Sequence, residues 1–368
     1  MRIGIDGHYI GRNDSGNERQ VTSLIRAFAS LDGGHRYSVY VANRGVLDAP
    51  PVAAEAVDYR YVGSSPLVRV PLSLPRELRA RPVDLLQAAY NAPLFVPCRL
   101  VLLLPDISWA VMPHLFPRLM ARQIALRARS DVRRAERVVV MSRAMRDEVI
   151  AHYRLPDEKV AVVPLGVDGR FRPLDRAGAA AVAERYGVRG PFVLCVGDLQ
   201  PRKNLPRLLE AFAGLRREGA QHSLVVVGKK AWRYADVFEA VERLGLGDAV
   251  TFAGYVPEDD LVAFYNAADL LVYPSLYEGF GFPLLEAMAC GTPVAHSDEP
   301  TLRETAGDAA VLFDPLDPAS IRSAISDALG DAALRYRLRE KGLERAREMS
   351  WESSARRLIE LYRGIVEG

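Results

Sequence analysis

Residues 270–291 read LLVYPSLYEGFGFPLLEAMACG, and this stretch decides the fold. Its first four residues are apolar or aromatic, which predicts a buried strand over Leu270–Tyr273. The following PSLYEGFGF holds two glycines and a proline, and it predicts a loop. A helix is then predicted from Pro283 to near Gly291, because proline is favoured at the start of a helix and glycine just beyond its end.

The same alternation of short apolar runs and helical segments continues along the chain, and it predicts an α/β protein with parallel, doubly wound, Rossmann-like sheets. In the first half, strands are predicted at 3–5, 37–41, 83–88, 100–104, 138–140 and 160–163, and helices at 21–31 and 118–134. In the second half, strands are predicted at 192–196, 223–227, 250–253, 270–273 and 294–295, and a helical tail at 332–366.

A length of 368 residues indicates two domains. Strand-like runs stop over 170–190, where prolines and glycines collect, so the boundary is predicted there. We expect residues 1–170 to form a first Rossmann-like domain, 171–348 a second one, and 349–368 a final helix.

The composition is that of a globular protein, with 49% apolar and 26% charged residues, and it excludes coiled-coil, collagen-like and disordered classes. The net charge is +2, but residues 1–170 are basic overall and residues 171–368 are acidic overall. A basic half suits an anionic partner such as phosphate or an acidic bilayer. The sequence opens directly on a strand and has no long apolar run, so we expect a cytoplasmic protein, peripheral to the inner face of a membrane at most.

The loop after Tyr273 allows two interpretations on its residues alone. Gly279 and Gly281 would let the backbone approach a ligand and present N–H donors, while Glu278 and Glu286 would bind hydroxyls. Alternatively, Glu278 is a solvated loop residue, and Glu286, expected in the first turn of the helix, only complements the helix dipole.

Residues 273–294, YPSLYEGFGFPLLEAMACGTPV, resemble the signature of the retaining GT-B glycosyltransferases, in which two glutamates frame the donor. The resemblance extends to VGDLQPRKN at 196–204, VTFAGYV at 250–256 and TLRE at 301–304. It implies the GT-B fold, in which two Rossmann-like domains face each other across a cleft and a C-terminal helix returns to the N-terminal domain. The first domain then binds the acceptor and the second binds the nucleotide-sugar donor.

The resemblance also implies roles for single residues. Glu286 takes the ribose hydroxyls of the donor, and Glu278 contacts the donor sugar. Arg202 and Lys203 resemble the pair that binds the donor diphosphate, where fixed cations stabilise the charge of the leaving group. Backbone amides are expected to assist from Gly279, Phe280 and Gly281.

Two more donor contacts are predicted after neighbouring strands. Val256 is expected to meet the nucleobase through its backbone. Gly228 and Lys229 lie in VGKKAW, residues 227–232, which resembles a loop beside the donor in bacterial mannosyltransferases and favours GDP-mannose. Alternatively, Lys229 is a solvated charge that contacts no ligand.

In the first half, Gly16 of DSGN, residues 14–17, is expected just before a helix, where the family has a loop that meets diphosphate and acceptor; a simple helix cap is the alternative. Asp106 lies in LPDISW, residues 104–109, which resembles a segment near the reacting centre. The family has a histidine before this aspartate, and Pro105 stands here instead, which puts a histidine role in doubt. His8 either has a structural role or is exposed to the cleft that the resemblance implies.

Arginines crowd the helix predicted over 118–134. Either it is a solvated helix with an ordinary buried face, or it rests on anionic lipid, as in family members that glycosylate lipid-linked acceptors.

The expected activity is transfer of a hexosyl unit, with mannosyl favoured, from a nucleoside diphosphate sugar to an acceptor hydroxyl with retained configuration. The acceptor is a glycan, a lipid-linked or a small molecule, and no nucleic acid is expected as a partner. A nucleotide-sugar epimerase and a catalytically silent nucleotide-sugar-binding protein are the alternatives. No cofactor and no metal are expected to be required, because an Asp-x-Asp motif is absent and residues 258–260 read as the acidic start of a helix.

Overall fold

The computed structural model describes residues 1–12, 15–31 and 33–368, and the chain divides into two compact units. Unit 1 consists of Met1–Gly166 and Ser350–Gly368, and unit 2 is Val167–Met349. The predicted boundaries at 170 and 348 lie close to these divisions. Residues 170–190 belong to unit 2 and hold a helix, Arg176–Glu184, so they are more than the connection that their prolines and glycines suggested.

Within the described residues, unit 1 has a parallel sheet of seven strands in the order β3-β2-β1-β4-β5-β6-β7. The strands are β1 Arg2–Asp6, β2 Arg36–Val41, β3 Val57–Tyr61, β4 Leu85–Ala89, β5 Arg99–Leu103, β6 Arg137–Val140 and β7 Val160–Val162. The helices are α1 Ser15–Ser30, α2 Pro66–Val68, α3 Leu74–Ala80, α4 Ser108–Val111, α5 Arg118–Arg134 and α6 Arg143–Tyr153. A π-helical segment, Arg69–Ser73, joins α2 to α3.

Unit 2, which is described throughout, has a parallel sheet of six strands in the order β10-β9-β8-β11-β12-β13. The strands are β8 Phe192–Val196, β9 Ser223–Val227, β10 Val250–Gly254, β11 Leu270–Tyr273, β12 Val294–Ser297 and β13 Ala310–Phe313. The helices are α7 Arg176–Glu184, α8 Leu205–Arg217, α9 Ala235–Leu244, α10 Glu258–Ala267, α11 Phe282–Cys290, α12 Pro300–Ala306, α13 Pro318–Gly330 and α14 Ala332–Glu348. The central strands β8 and β11 are buried along their whole length, as expected where helices cover both faces of a sheet.

The predicted helical tail is two helices instead of one. Helix α14 ends at Glu348, and α15 spans Trp351–Glu367 after Ser350, whose side chain caps it by accepting from the Ser353 amide. Helix α15 belongs to unit 1, where the buried Tyr362 hydroxyl donates a hydrogen bond to Gln87 of β4. The prediction that the final helix returns to the first domain is therefore confirmed.

The strand order reverses once inside each sheet. In unit 1 the reversal lies between β1 and β4, and in unit 2 it lies between β8 and β11. Open parallel sheets bind ligands at the carboxyl ends of the strands beside such a reversal. The loops after these four strands are therefore the places where a site is expected.

Candidate active site

Four side chains meet at the carboxyl edge of the unit 2 sheet. Tyr273 ends β11, Glu278 lies in the loop that follows, and Arg202 and Lys203 lie in a 3₁₀ turn after β8. The Lys203 ammonium donates to Oε1 of Glu278 and to the Tyr273 hydroxyl, both at 2.6 Å. Nη1 of Arg202 lies 2.7 Å from Oε2 of Glu278. The structure thus brings together three of the residues predicted as catalytic, Arg202, Lys203 and Glu278.

This cluster is buried and carries an excess of positive charge. Lys203 is 8% exposed and Glu278 is 7% exposed. Burial alone would raise the pKa of Glu278, but the charges of Arg202 and Lys203 more than offset it and lower that pKa to about 2. One carboxylate facing two cations leaves a net positive charge, and a buried charge of this kind is stabilised by an anionic ligand.

Tyr273 completes the cluster as a neutral donor. Its hydroxyl donates to Oε1 of Glu278 at 3.0 Å. Burial and the neighbouring carboxylate raise the pKa of Tyr273 well above its ordinary value, so the phenol keeps its proton. Tyr273 is the first residue of the motif at 273–294, but the sequence analysis assigned no role to it; its position as the last residue of a central strand was a further signal.

Backbone contacts fix the loop that carries Glu278 against the turn that carries the two cations. The Leu276 amide donates to the Arg202 carbonyl at 2.9 Å, and Arg202 Nη1 donates to the Tyr277 carbonyl at 2.7 Å. Further along the loop, the Thr305 hydroxyl donates to the carbonyl of Phe280 at 2.5 Å. Gly279 and Phe280 are buried in this loop, so the amides expected to face a donor are held in a fixed place.

Gly281 is the N-cap of α11 and adopts a left-handed φ of +94°, which favours glycine. A Cβ there would also lie 2.6 Å from a methyl carbon of Leu302. The helix begins at Phe282, and Pro283 is its second residue. Glu286 is consequently the fifth residue of α11, and the prediction that it lies in the first turn is wrong because the helix begins one residue earlier than expected.

Glu286 is almost fully buried, and the hydroxyl of Tyr265 on α10 donates to its Oε2 at 2.8 Å. A buried carboxylate needs such hydrogen bonds, whereas a residue that only complements the helix dipole lies in the first turn. The sequence analysis missed Tyr265, because it lies inside α10 with no motif around it.

The loops after β8 and β9 come together at two glycines. A Cβ on Gly228 would lie 2.1 Å from the carbonyl oxygen of Gly197, and the φ of Gly228 is +157°. The Lys229 amide donates to Oδ1 of Asp198 at 3.0 Å, which joins the two loops again. Only glycine allows the two backbones to approach this closely.

Lys229 and Val256 lie on the same edge of the sheet, after β9 and β10. The Lys229 ammonium lies 4.7 Å from the centroid of the Tyr255 ring, a cation–π contact. Val256 follows Tyr255 and is buried. Because β10, β9, β8 and β11 are consecutive in the sheet, the donor residues predicted after these strands share one edge.

Asp106 and Gly16 belong to unit 1. Oδ1 of Asp106 accepts hydrogen bonds from the amide and hydroxyl of Ser108 at 3.0 and 2.8 Å, and its Oδ2 accepts one from Tyr90 at 3.3 Å. Tyr90 follows β4 with a φ of +60°, an uncommon conformation for an aromatic residue. Gly16 is the second residue of α1, not a residue before the helix. Asp14 of the same motif lies outside the described residues.

His8 is buried just after β1 and is paired with Asp6. Its Nδ1 lies 2.9 Å from Oδ1 of Asp6, and the same oxygen accepts the His8 backbone amide at 3.2 Å. The carboxylate therefore orients the imidazole ring. Asp6 is the last residue of β1 and His8 follows it by two residues, but the sequence analysis did not pair them.

Across the described ranges, the His, Cys, Asp and Glu side chains form no group of three that could hold a metal ion. The acidic residues at 258–260 begin α10, as predicted, and they form ion pairs. Oε2 of Glu258 lies 2.5 Å from Nη1 of Arg170, and Oδ1 of Asp260 lies 2.7 Å from Nη2 of Arg185.

Two family models match the chain. Residues 184–345 match the model for glycosyl transferases group 1, and residues 15–170 match the model for glycosyltransferase family 4. Among solved structures, sucrose-phosphate synthase from Thermosynechococcus elongatus superposes with a TM-score of 0.79 at 21% identity, over 99% of both chains. The two parallel sheets and the returning helix are thus those of the GT-B fold.

Two bacterial relatives are similar in sequence. The chain is 32% identical over 260 residues to O-antigen chain mannosyltransferase B of Escherichia coli, which covers 70% of this chain and 68% of that protein. It is 29% identical over 251 residues to the serotype-specific mannosyltransferase WbdA of Escherichia coli, but the match spans only 31% of that longer protein. With its buried Arg202–Lys203–Glu278 cluster, its fold and these relatives in agreement, the chain belongs to the group 1 glycosyltransferases and is an enzyme that transfers a sugar.

Proposed function

We propose that this glycosyltransferase moves a mannosyl residue from GDP-mannose to an acceptor hydroxyl and retains the anomeric configuration. The observation that carries the proposal is the buried Arg202–Lys203–Glu278 cluster beside the strand reversal of unit 2, whose excess positive charge suits a diphosphate. The names of the two mannosyltransferase relatives support the choice of sugar.

In this proposal, Arg202 and Lys203 stabilise the charge that develops on the departing diphosphate. Ionised Glu278 accepts hydrogen bonds from the donor sugar, and Glu286 accepts them from the ribose. A phosphate oxygen of the leaving group takes the proton of the acceptor hydroxyl as the new glycosidic bond forms on the same face. The protein then provides position and charge, and it needs neither a covalent nucleophile nor a metal ion.

The acceptor is proposed to be a glycan, a lipid-linked saccharide or a small molecule that binds to unit 1. Asp106 is proposed as a catalytic residue, and Gly16 as a contact of the donor diphosphate. Polysaccharide synthesis is the setting that the name of the O-antigen relative suggests.

The outer face of α5 supports a further proposal, that the protein is cytoplasmic and touches the membrane surface. Leu119 and Leu126 are 70% and 73% exposed, and the exposed Arg122 and Arg133 share their side of the helix. Exposed leucines between arginines suit an anionic bilayer. Among the helices of the described residues, none combines the length and the hydropathy of a membrane-spanning segment.

Vesicle sedimentation tests this contact. We expect the protein to sediment with phosphatidylglycerol vesicles and not with phosphatidylcholine vesicles, and the double variant Leu119→Gln/Leu126→Gln to lose this binding. Equal sedimentation of the wild type and the variant would rule out α5 as the contact.

Thermal unfolding with a panel of nucleotide sugars tests the main proposal. A ligand present at about 100 times its dissociation constant adds about 2.7 kcal/mol of stability, so GDP-mannose should raise the melting temperature more than UDP-, ADP- and dTDP-sugars. Nuclear magnetic resonance of the product should show an α-linkage from the α-linked donor. A panel in which no nucleotide sugar stabilises the protein, or a β-linked product, contradicts the proposal.

A further inference from the structure

A pocket of about 220 Å³ lies at the amino edge of the unit 2 sheet. Asp269 and Pro293, which line it, directly precede β11 and β12, whereas Tyr273 ends β11 at the opposite edge. The lining residues lie in segments 173–176, 266–269, 290–293 and 335–339. All of them belong to unit 2, which is described throughout. The volume is below the roughly 300–1,000 Å³ of pockets for drug-sized ligands, so a ligand here must be small.

Hydrogen bonds between the lining segments hold the pocket in shape. Oδ1 of Asn266 accepts the Leu174 amide at 2.7 Å, and its Nδ2 donates to the Arg172 carbonyl at 3.1 Å. The Thr292 hydroxyl donates to the Tyr265 carbonyl at 2.6 Å, so the turn after α11 is also tied to α10. A pocket that is formed in advance loses little conformational freedom when a ligand binds.

Two arginines of α14, Arg335 and Arg339, line the pocket from positions four residues apart. Nη1 of Arg335 donates to the carbonyls of Ala328, at 3.0 Å, and Leu329, and Arg335 pairs with no carboxylate in the described part of the chain. Oε1 of Glu340 lies 3.9 Å from Nε of Arg339, and both side chains are exposed, so this pair contributes little. Like charges at this spacing on a helix repel each other, and an anion that contacts both relieves the repulsion.

The remaining charges of the lining are paired. Asp269 forms an ion pair with Arg176, and its Oδ2 accepts the Phe192 amide at 3.2 Å. The last carbonyls of α10 and α13 bring partial negative charge to this edge, but Arg176 already donates to the carbonyl of Ala267, as Arg335 does to those of α13.

Both arginines of α14 keep hydrogen-bond donors for a ligand. The guanidinium of Arg339 lies against Gly291, where a Cβ would be 3.1 Å from its Cζ, and it donates no hydrogen bond to any described residue. Arg335 uses Nη1 alone for the end of α13. The planar groups of two arginines can together surround a phosphate, whose three terminal oxygens accept from both, whereas a carboxylate has only two oxygens.

Apolar groups stand beside these donors. Tyr336 lies between the two arginines in the sequence and is 65% exposed, and Leu174 is 44% exposed; both line the pocket. An aromatic ring and a leucine next to two guanidinium groups suit a ligand that has an apolar or ring-shaped body and an anionic head.

We propose that this pocket is a second ligand site, which binds a small organic phosphate. The phosphate contacts Arg335 and Arg339, and the organic body packs on Leu174 and Tyr336. The site goes beyond the glycosyl transfer proposed above and does not depend on it, because the Arg202–Lys203–Glu278 cluster lies at the carboxyl edge of the same sheet.

Isothermal titration calorimetry of the intact protein with phenyl phosphate tests the site. We expect the wild type to bind this probe, and Arg339→Gln to bind it at least about tenfold more weakly because one of two guanidinium groups is lost. The matched control is Arg337→Gln, which removes an exposed arginine of the same helix that does not line the pocket; its affinity should equal that of the wild type. Absence of binding to the wild type, or equal affinities of all three proteins, would overturn the proposal.

Two further probes test the class of ligand. Inorganic phosphate lacks the organic body and benzoate lacks the third oxygen, so each should bind at least about tenfold more weakly than phenyl phosphate. Tyr336→Ser should bring the affinity for phenyl phosphate close to that for inorganic phosphate. If either of the two probes binds as tightly as phenyl phosphate, the assignment to organic phosphates is wrong.

Saturating GDP separates this pocket from the candidate active site, whose cations also attract phosphates. Because the two sites lie at opposite edges of the sheet, the binding of phenyl phosphate that depends on Arg339 should persist when GDP is bound. Lys203→Met should retain the same binding, which gives the answer independently of GDP. Loss of phenyl phosphate binding both with GDP and in Lys203→Met would place the probe in the active site and contradict the proposal.

Discussion

The ammonium of Lys203 lies 2.6 Å from Oε1 of Glu278, although the two residues are 75 positions apart in the chain. The contact exists because β8 and β11 are neighbours in the sheet, so the loops after them leave the same edge. Neither charge would be stable alone at this depth. Substitutions at this pair should therefore change stability, and in the proposed mechanism they should also change activity.

Replacing Glu278 with glutamine should separate donor binding from sugar transfer. We expect acceptor-dependent release of GDP from GDP-mannose to fall about 100-fold or more, which is about 2.7 kcal/mol of transition-state stabilisation, because the contact to the donor sugar is lost. GDP itself should bind at least as tightly as before, because Arg202 and Lys203 are no longer opposed. Glu239→Gln on the exposed side of α9 is the matched control. Wild-type turnover by Glu278→Gln would remove the glutamate from the mechanism.

Lys203→Met should act on the nucleoside diphosphate instead. Loss of one buried cation is expected to weaken GDP binding about tenfold, or about 1.4 kcal/mol, in isothermal titration calorimetry. The control is Lys341→Met, which removes an exposed lysine that pairs with Asp308. If both variants bind GDP equally well, Lys203 does not contact the diphosphate.

Gly228→Ala should destabilise unit 2 strongly. Its Cβ would lie 2.1 Å from the Gly197 carbonyl oxygen, and its φ of +157° strains any other residue, so we expect the free energy of unfolding to fall by about 3 kcal/mol or more. Gly247→Ala makes the same chemical change where no atom lies within 4 Å of the added carbon, and it should stay within about 0.5 kcal/mol of the wild type. Urea unfolding compares the two; similar losses would show that the close approach of the loops is unimportant.

Acid should destabilise unit 2 in two separate steps. Burial lowers the pKa of His296 on β12 from 6.5 to about 4. Between these two pH values the unfolded chain binds a proton at His296 and the folded chain does not. The free energy of unfolding therefore falls as the pH is lowered from 6.5 to 4. For Glu278, the pKa is lowered from 4.5 to about 2, so its contribution is present above pH 4.5 and is lost as the pH falls toward 2. Each step should lower the free energy of unfolding by about 3 kcal/mol.

Urea unfolding at a series of pH values measures both steps. His296→Gln should abolish the loss of unfolding free energy between pH 6.5 and 4 and leave the loss below pH 4.5 unchanged. Glu278→Gln should abolish the loss below pH 4.5 and leave the loss between pH 6.5 and 4 unchanged. A single transition that neither substitution changes would contradict the assignment of both groups.

The fold was predictable where strands are buried on both faces. β8 and β11 are continuous apolar runs, and they were predicted with their observed bounds. β3 was missed because Asp58 and Arg60 interrupt its apolar pattern. β13 was also missed, although its residues AVLF form a short apolar run. The helical tail was read as continuous because its break, at Met349 and Ser350, contains neither glycine nor proline.

The candidate site residues of unit 2 could be proposed from their motifs, whereas the contacts between them could not be predicted. Arg202, Lys203 and Glu278 were identified separately, but their ion pairs depend on the strand order, which no local pattern encodes. The sequence analysis did not identify Tyr273 and Tyr265 as site residues, because they hydrogen-bond the two glutamates from positions that look like ordinary core.

The division of the chain has a consequence for its synthesis. In the sequence, unit 2 is inserted between the two segments of unit 1. The two ends of unit 2 lie side by side, because the Val167 amide donates to the Met349 carbonyl at 3.1 Å. On the ribosome, unit 2 has all its residues before unit 1 has α15. Until residues 350–368 emerge, Gln87 and Phe28 lack their neighbour Tyr362, and the nascent first unit leaves an apolar surface open to chaperones and proteases.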